Sequence, residues 1–176
     1  QLKADQLPAL STTTLNQLDA NALGGLSGTQ VLGLTTSQIT GMSTTALSRL
    51  STAALAAFKT NQIVALNTAQ LASLSSSATM ALTVTQIAAL ETRDLANLTT
   101  ANFAVLFSTQ VGALTTAQLV SLKSDALASL STSALAGLTS SQIVALTTEQ
   151  VFNLTSVAVE ALSTSQIKAL HTADIA

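Results

Sequence analysis

The sequence predicts a repeat solenoid of 22 octapeptides, mainly short α-helical segments joined at Ser/Thr corners. The first observation is the length, because 176 residues are 22 × 8 and the octads align over 1–176 without an insertion. The second is that position 2 of the octad is apolar in all 22 octads, and position 7 in 21. The third is that position 3 is Ser or Thr in 14 octads and position 4 in 18. A fixed period of this kind is typical of repeat architectures, so 1–176 is predicted to be a single continuous array.

The polar pair is predicted to begin each helix. A Ser or Thr at position 3 is a suitable N-cap, and Gln at position 6 lies three residues later, which is the spacing of a capping box. Positions 4 to 2 of the next octad are then expected to form about two helical turns, with the apolar positions 7 and 2 on one face. The full pair occurs in seven octads: Ser27/Gln30, Thr35/Gln38, Thr83/Gln86, Thr115/Gln118, Thr139/Gln142, Thr147/Gln150 and Ser163/Gln166.

Two simpler structures fit the spacing poorly. In one straight helix, eight residues advance by about 800°, so a fixed position drifts by roughly 80° per octad. In a strand, apolar residues recur every two residues, whereas the intervals here are five and three. A β-solenoid of several octads per coil stays open as the alternative. Its Ile, Val and Thr residues favour strands, whereas abundant Ala, Leu and Gln and only seven Gly residues oppose it.

Several octads depart from the pattern. Octads 1, 3, 8, 12 and 16 lack the Ser/Thr pair, so capping is not expected to be uniform. Thr79 interrupts the apolar position 7, and the flexible side chain of Met80 is expected to swing inward to fill the gap. Phe107 stands at a cap position, where it can be an exposed contact. Pro8 lies at a corner of the first octad.

Glycine is concentrated near the beginning of the chain. Five of the seven glycines fall within residues 24–41, which predicts either a looser segment or close packing of small residues. Close packing is at least as well supported, because three of the five occupy position 1 of the octad. These three are Gly25, Gly33 and Gly41.

Composition excludes several classes of protein. Only six Lys/Arg and eight Asp/Glu residues are present, and the net charge of −2 without a basic cluster argues against nucleic-acid binding. The absence of Cys excludes disulfides and thiolate metal sites. No apolar run approaches the roughly 20 residues that span a membrane.

The sequence predicts no catalytic, cofactor-binding or metal-ligating residue, and no small-molecule substrate. His171 is the one His and is expected to be a solvated surface residue. A nucleophilic Ser needs a nearby base, and none is suitably spaced. A haem needs an axial ligand from His171, Met42 or Met80, of which Met80 is better used in the core, so no cofactor is predicted. The carboxylates are scattered along the chain and are expected to be isolated surface charges. They are Asp5, Asp19, Glu91, Asp94, Asp125, Glu149, Glu160 and Asp174.

The octads resemble the Leu-Thr-Thr-x-Gln-Ile-x-Ala-Leu arrays of some very large bacterial proteins. The resemblance rests on segments such as LTTAQLVS, LTSSQIVA, LTTEQVFN and LSTSQIKA, and it covers the whole chain. Proteins with such arrays are usually described as surface, adhesin or haem-utilisation proteins. The resemblance implies an extracellular or cell-surface bacterial setting and no catalytic residues.

The leading functional hypothesis is therefore a structural protein. Neither end of the array carries a polar cap, because Leu2, Leu7, Leu170 and Ile175 keep the apolar pattern. The expected partners are further repeats of the same array, as in an adhesin stalk, or other copies stacked end to end in an open filament. The alternative is a binding module that presents a regular Thr-rich surface, for example to ice, and this suits the β-solenoid better.

Overall fold

The protein is helical throughout residues 3–173, the part that the computed structural model describes. No β-strand occurs within that range, so the helical solenoid is confirmed and the β-solenoid is not supported. After a short 3-10 helix at Leu7–Ala9, the helices are α1 (Thr12–Gln17), α2 (Ala20–Gly24), α3 (Gly28–Val31), α4 (Thr36–Gly41), α5 (Thr44–Ser48), α6 (Thr52–Ala57), α7 (Thr60–Val64), α8 (Thr68–Ala72), α9 (Ser76–Ala81), α10 (Val84–Ala89), α11 (Thr92–Leu95), α12 (Thr100–Ala104), α13 (Ser108–Gly112), α14 (Thr116–Val120), α15 (Ser124–Ala128), α16 (Thr132–Leu135), α17 (Ser140–Ala145), α18 (Thr148–Phe152), α19 (Ser156–Glu160) and α20 (Thr164–Ala173).

Each of helices α1 to α19 begins at position 4 because the residue at position 3 is extended and takes the N-cap place, where in most octads its side chain caps the helix. Thr35 has φ −77° and ψ 156°, and its hydroxyl oxygen accepts a 3.2 Å hydrogen bond from the backbone N–H of Gln38. The Gln38 side-chain oxygen accepts in return from the N–H of Thr35, at 2.8 Å. All seven predicted capping boxes form in this way.

Capping is not uniform, as the departures from the Ser/Thr pair predict. Asp19 caps α2 through its carboxylate, which accepts from the N–H of Ala22 at 2.7 Å. Lys59, Glu91 and Lys123 make no side-chain cap bond. At Lys59 the reciprocal half survives, because its N–H still donates to the side-chain oxygen of Gln62 at 2.8 Å.

The helices end earlier than the sequence predicts. Helices α1 to α19 have four to six residues rather than two full turns. The position-2 residue leaves the helix, as at Met42, where ψ is 137° and the N–H bonds the carbonyl oxygen of Ile39 three residues before. That tight last turn directs position 2 into the core and places the next residue, Ser43, in the extended N-cap conformation.

Positions 7 and 2 form the core. Ile39, Ile63 and Ile87 at position 7 are fully buried, and Met42 and Phe58 fill position 2 in the same way. Burial of this apolar surface stabilises helices that are too short to persist alone.

The expectation for Met80 is wrong. Thr79 itself is fully buried at position 7, and Met80 is 40% exposed. The Thr79 hydroxyl donates to the backbone carbonyl of Ser75 at 3.1 Å, which satisfies the one polar group that Thr brings into the core. No gap is left that Met80 needs to fill.

Packing divides the chain into two compact units, 1–90 and 91–176. In the first unit α6 packs on α3, three octads earlier, and α9 packs on α6. In the second unit α16 packs on α13 and α17 on α14, with the same offset. Successive turns of the solenoid within each unit therefore repeat after three to four octads. A single continuous array over 1–176 stays a prediction.

Small residues allow these turns to approach closely. No glycine among the described residues has a positive φ. Glycine is therefore needed at these positions because there is little room for a side chain, and not because of the backbone conformation. A Cβ at Gly41 would lie 2.6 Å from the methyl group of Thr12, and one at Gly33 would overlap the carbonyl oxygen of Ala4. The prediction of close packing at position 1 agrees with these contacts.

Candidate functional site: the glutamine ladder

Ten of the eleven glutamines at position 6, all except the exposed Gln6, are buried, and most of these join successive turns. Gln62 is only 2% exposed. Its side-chain oxygen accepts from the N–H of Lys59, and its Nε2 donates to the carbonyl oxygens of Val31 at 2.9 Å and Leu34 at 2.8 Å. These two acceptors lie 31 and 28 residues earlier in the chain, at the end of α3.

The same bonds recur in both units, and we call the set the glutamine ladder. In each case Nε2 donates to the carbonyl oxygens 31 and 28 residues earlier, at distances of 2.7–3.2 Å. The members with these bonds are Gln38, Gln62, Gln70 and Gln86 in the first unit and Gln142, Gln150 and Gln166 in the second.

The chemistry of the primary amide explains the choice of residue. A glutamine side chain has one acceptor oxygen and two N–H donors. The start of a helix leaves N–H groups without partners, and its end leaves carbonyl groups without partners. One glutamine therefore satisfies a donor at the start of its own helix and two acceptors at the end of a helix in the preceding turn. Each such bond contributes about 0.5–1.5 kcal/mol net, and leaving the buried groups without partners costs more.

Where position 6 is Ala, no glutamine side chain reaches the backbone carbonyl oxygens of the preceding turn, and the local structure differs between octads. In octad 6, Ala46 cannot reach them, and the half-buried Arg49 donates from Nη1 to the carbonyl oxygen of Leu18 at 2.7 Å. That oxygen lies 28 residues before Ala46, which is the acceptor that a glutamine there would use. In octad 10, a cavity of about 90 Å³ adjoins Ala78.

Asp94 replaces glutamine in octad 12, and the expectation of an isolated surface charge is wrong for it. The residue is 3% exposed, because position 6 faces the interior in octads 4 to 21 whatever residue occupies it. The Nε of Arg93 lies 3.6 Å from its carboxylate, and another Arg93 nitrogen lies 3.7 Å from the carboxylate of Glu91. Arg93 and Glu91 are themselves exposed, so these two ion pairs are weak.

The exposed face is polar with scattered apolar side chains. Positions 3, 4 and 5 supply exposed Ser and Thr at most corners. Phe107 is 54% exposed at its N-cap position, in agreement with its prediction as an exposed residue. Large apolar residues are also exposed at position 8, namely Leu32, Val64, Met80, Val120, Val144 and Phe152.

The residues considered as ligands from the sequence are not brought together. Met42 is buried in the core and Met80 lies on the surface. The His171 side chain, Leu2, Asp174 and Ile175 lie outside the described residues. Within residues 3–173, no group of three or more His, Cys, Asp or Glu residues is placed to hold a metal ion. No helix in this part of the chain is long and apolar enough to cross a membrane.

Comparisons with known proteins identify the repeat. A family model described as the ALTTAQ repeat matches three times, over residues 55–92, 87–124 and 122–156. These overlapping matches cover more than half of the chain and include glutamines from Gln62 to Gln150. A search of curated proteins finds no match.

Proposed function

The chain belongs to the ALTTAQ repeat family, and on that premise we propose that it is a structural, non-enzymatic protein. Its role is to be a stalk segment of a bacterial surface adhesin, or a subunit that assembles end to end into an extracellular filament. The observation that supports this role best is the glutamine ladder, because it repeats one set of bonds from turn to turn.

The glutamine ladder allows the array to be extended by the addition of further octads. Gln150 donates to the carbonyl oxygens of Leu119 and Leu122, and Gln142 makes the equivalent bonds to Val111 and Leu114. A further octad with glutamine at position 6 would use the next pair of carbonyls in the same geometry. In arrays of this kind, stability is a sum of repeat and interface contributions, so length can change without a new core.

The exposed surface supports a structural role in a different way. Binding interfaces usually depend on a few buried Trp, Tyr or Arg anchors. This chain has no Trp or Tyr, and its 14 charged residues are scattered. The repeated Ser/Thr surface therefore suits a segment that separates other parts of a protein better than one that recognises a specific ligand.

Two apolar residues support contact with a further turn. Val159 and Ile167 occupy position 7, where Ile143 is fully buried, but they are 38% and 37% exposed. A turn that covered them would bury their side chains, and more octads of the array or a second copy of the chain can supply it. The extracellular and bacterial setting belongs to the proposal, and its support is the resemblance to large bacterial surface arrays.

Electron microscopy of the negatively stained chain over a range of concentrations tests the filament form. Uniform filaments that grow with concentration would support end-to-end assembly. Particles that remain monomeric at high concentration, checked by analytical ultracentrifugation, would overturn the filament form and leave the stalk form.

Duplication of residues 115–146 tests the stalk form. This insertion adds four octads in register, and we expect a folded chain with more helix and a larger urea dependence of unfolding, because more surface is buried. Duplication of residues 115–142 is the matched control, since it breaks the octad register. Loss of the fold after the in-register duplication would contradict the proposal.

No observation favours the alternative of a Thr-rich ice-binding module. That hypothesis suits flat ranks of side chains on strands better, and residues 3–173 form short helices instead. A thermal hysteresis assay at high protein concentration would still detect such an activity directly.

A further inference from the structure

A cavity lies beside Ala78, at the place where other octads carry the side chain of a ladder glutamine. It has a volume of about 90 Å³ and lies within the first unit. Its lining includes Leu47, Leu50, Thr52, Ser73, Ser75 and Ala78. Position 78 is position 6 of octad 10, so the cavity occupies the place of a ladder glutamine.

The register of the ladder identifies the polar groups at this place. A glutamine at position 78 would donate to the carbonyl oxygens 31 and 28 residues earlier, which belong to Leu47 and Leu50. It would also accept from the N–H three residues earlier, which belongs to Ser75. Within the described residues, the Leu50 carbonyl oxygen and the Ser75 N–H make no backbone hydrogen bond in the turns and caps, whereas the Leu47 carbonyl oxygen already accepts from the N–H of Leu50 at 3.1 Å. One donor and two acceptors therefore converge where Ala78 offers only a methyl group.

We attribute the cavity to the size of the residue 26 positions before Ala78, which keeps the two adjacent turns apart. At the Ala54 octad, the residue 26 positions earlier is Gly28, and a Cβ added there would lie 2.9 Å from the Cβ of Ala57. The two turns therefore approach too closely at Gly28 for a larger side chain there. At the Ala78 octad the equivalent pair is Thr52 and Ala81, and Thr52 lines the cavity.

The protein itself indicates which ligand chemistry fits. Equivalent carbonyls receive N–H groups from the amide of Gln70 and from the guanidinium of Arg49. The group that distinguishes Gln from Ala is an acetamide fragment of four heavy atoms. In the measure that gives the cavity about 90 Å³, one water needs roughly 10–15 Å³, so the cavity has room for several waters or one such fragment. We propose that the cavity beside Ala78 is a binding site for a small primary amide.

In this site the amide N–H₂ group donates to the Leu47 and Leu50 carbonyl oxygens, and the amide oxygen accepts from the Ser75 N–H. A primary amide satisfies all three groups at once, whereas a carboxylate would place negative charge against two carbonyl oxygens. A tertiary amide has no N–H and leaves the Leu50 carbonyl oxygen without a partner. The site is therefore expected to select among small acyl compounds by whether they carry an N–H₂ group.

Titration of the full chain with acetamide, followed by amide NMR shifts, tests the proposal. We expect saturable shifts at Ser75 and Ala78, at about millimolar concentrations because so small a ligand makes few contacts. N,N-dimethylacetamide and acetate are the matched probes without the N–H₂ group, and they should produce no saturable shift. Equal responses to acetamide and dimethylacetamide, or only linear shifts, would overturn the proposal and leave water as the occupant.

Variants at position 78 provide the second test. Ala78→Gln places the amide in the site covalently and should weaken acetamide binding at least ten-fold while raising the Tm. Ala78→Met fills the space without N–H groups and should also abolish binding, which keeps the test open if the glutamine variant folds poorly. Ala54→Gln is the matched control, because the closed turns at Gly28 leave no room and its Tm should fall. Acetamide binding that survives in both position-78 variants would contradict the assignment.

Discussion

The side-chain nitrogen of Gln70 donates a 2.7 Å hydrogen bond to the carbonyl oxygen of Met42, 28 residues earlier in the chain. The same nitrogen donates to the carbonyl oxygen of Ile39, also at 2.7 Å. The side-chain oxygen accepts from the N–H of Asn67 at 2.8 Å, so all the hydrogen-bonding groups of one amide are used. A residue that caps its own helix therefore also holds the preceding turn in place.

Replacement of Gln70 by Ala should destabilise the protein by about 2–4 kcal/mol. The variant removes three hydrogen bonds and leaves the carbonyl oxygen of Met42 without its side-chain donor, whereas that of Ile39 keeps the bond from the N–H of Met42. It also leaves space behind a side chain that is only 1% exposed. Urea unfolding followed by far-ultraviolet circular dichroism measures the effect.

Gln17→Ala is the matched control for Gln70→Ala. Gln17 is exposed at the end of α1, so its replacement should change the free energy of unfolding by less than about 0.5 kcal/mol. Gln70→Glu should destabilise the protein at neutral pH, because a carboxylate oxygen would face the carbonyls of Ile39 and Met42. Equal stability of the Gln70→Ala and Gln17→Ala variants would show that the ladder is not a stabilising feature.

Arg49 and a glutamine introduced at position 46 should behave as alternative donors to the carbonyl oxygen of Leu18. Arg49→Ala removes the 2.7 Å bond to the Leu18 carbonyl and should cost about 1–2 kcal/mol. In the Ala46→Gln background the same change should cost less, because a ladder glutamine would reach the same oxygen. A double-mutant cycle by urea unfolding measures this coupling.

The control for the Arg49 cycle is Lys123→Ala, a change at an exposed residue that makes no side-chain cap bond. Its effect should be the same with or without the substitution at position 46. Additive effects of Ala46→Gln and Arg49→Ala would refute the idea that the two side chains serve one carbonyl.

Lys59→Thr should stabilise the protein by about 1 kcal/mol. Lys59 already has the extended N-cap conformation, with φ −68° and ψ 158°, but its side chain offers no acceptor. A Thr hydroxyl at this position would accept from the N–H of Gln62, as Thr35 does for Gln38. Thermal unfolding measures the effect, with Lys59→Ala as the control. Both variants lose the lysine side chain, so a higher Tm of Lys59→Thr reports the added cap. The prediction fails if both variants unfold at the same temperature.

Much of this fold can be predicted from local sequence, because each helix is specified within one octad. The capping boxes depend on residues three positions apart, and the core depends on positions 7 and 2. The inter-turn bonds could not be predicted, since they require the number of octads per turn. One signal was available, because 11 of the 13 glutamines stand at position 6 and no Glu does. A capping box accepts Glu equally well, so this exclusion indicates a need for the N–H₂ group.

The misplaced residues have a common physical cause. Residue type alone predicts that Asp94 is a surface charge and that Met80 is a core residue, but their register in the octad places them otherwise. In the structure, position 6 is buried even when it holds an acid, and position 8 is exposed even when it holds methionine. Register therefore decides burial in this array, and the polar residues of the interior obtain partners locally, as Thr79 does from Ser75.

Gly137→Ala should destabilise the protein by about 1–3 kcal/mol, because it forces two turns of the second unit apart. A Cβ on Gly137 would overlap the backbone of Ser108, and a Cβ on Gly112 would lie 2.8 Å from the Gly137 carbonyl oxygen. Backbone atoms cannot rotate away as a side chain can, so the strain must be relieved by a shift of α16 from α13. Gly24→Ala is the control, since its nearest contact, the carbonyl oxygen of Arg49 at 3.2 Å, needs only a small adjustment. Urea unfolding of both variants measures the difference, and a Gly137→Ala protein as stable as the parent would show that the turns do not need this close approach.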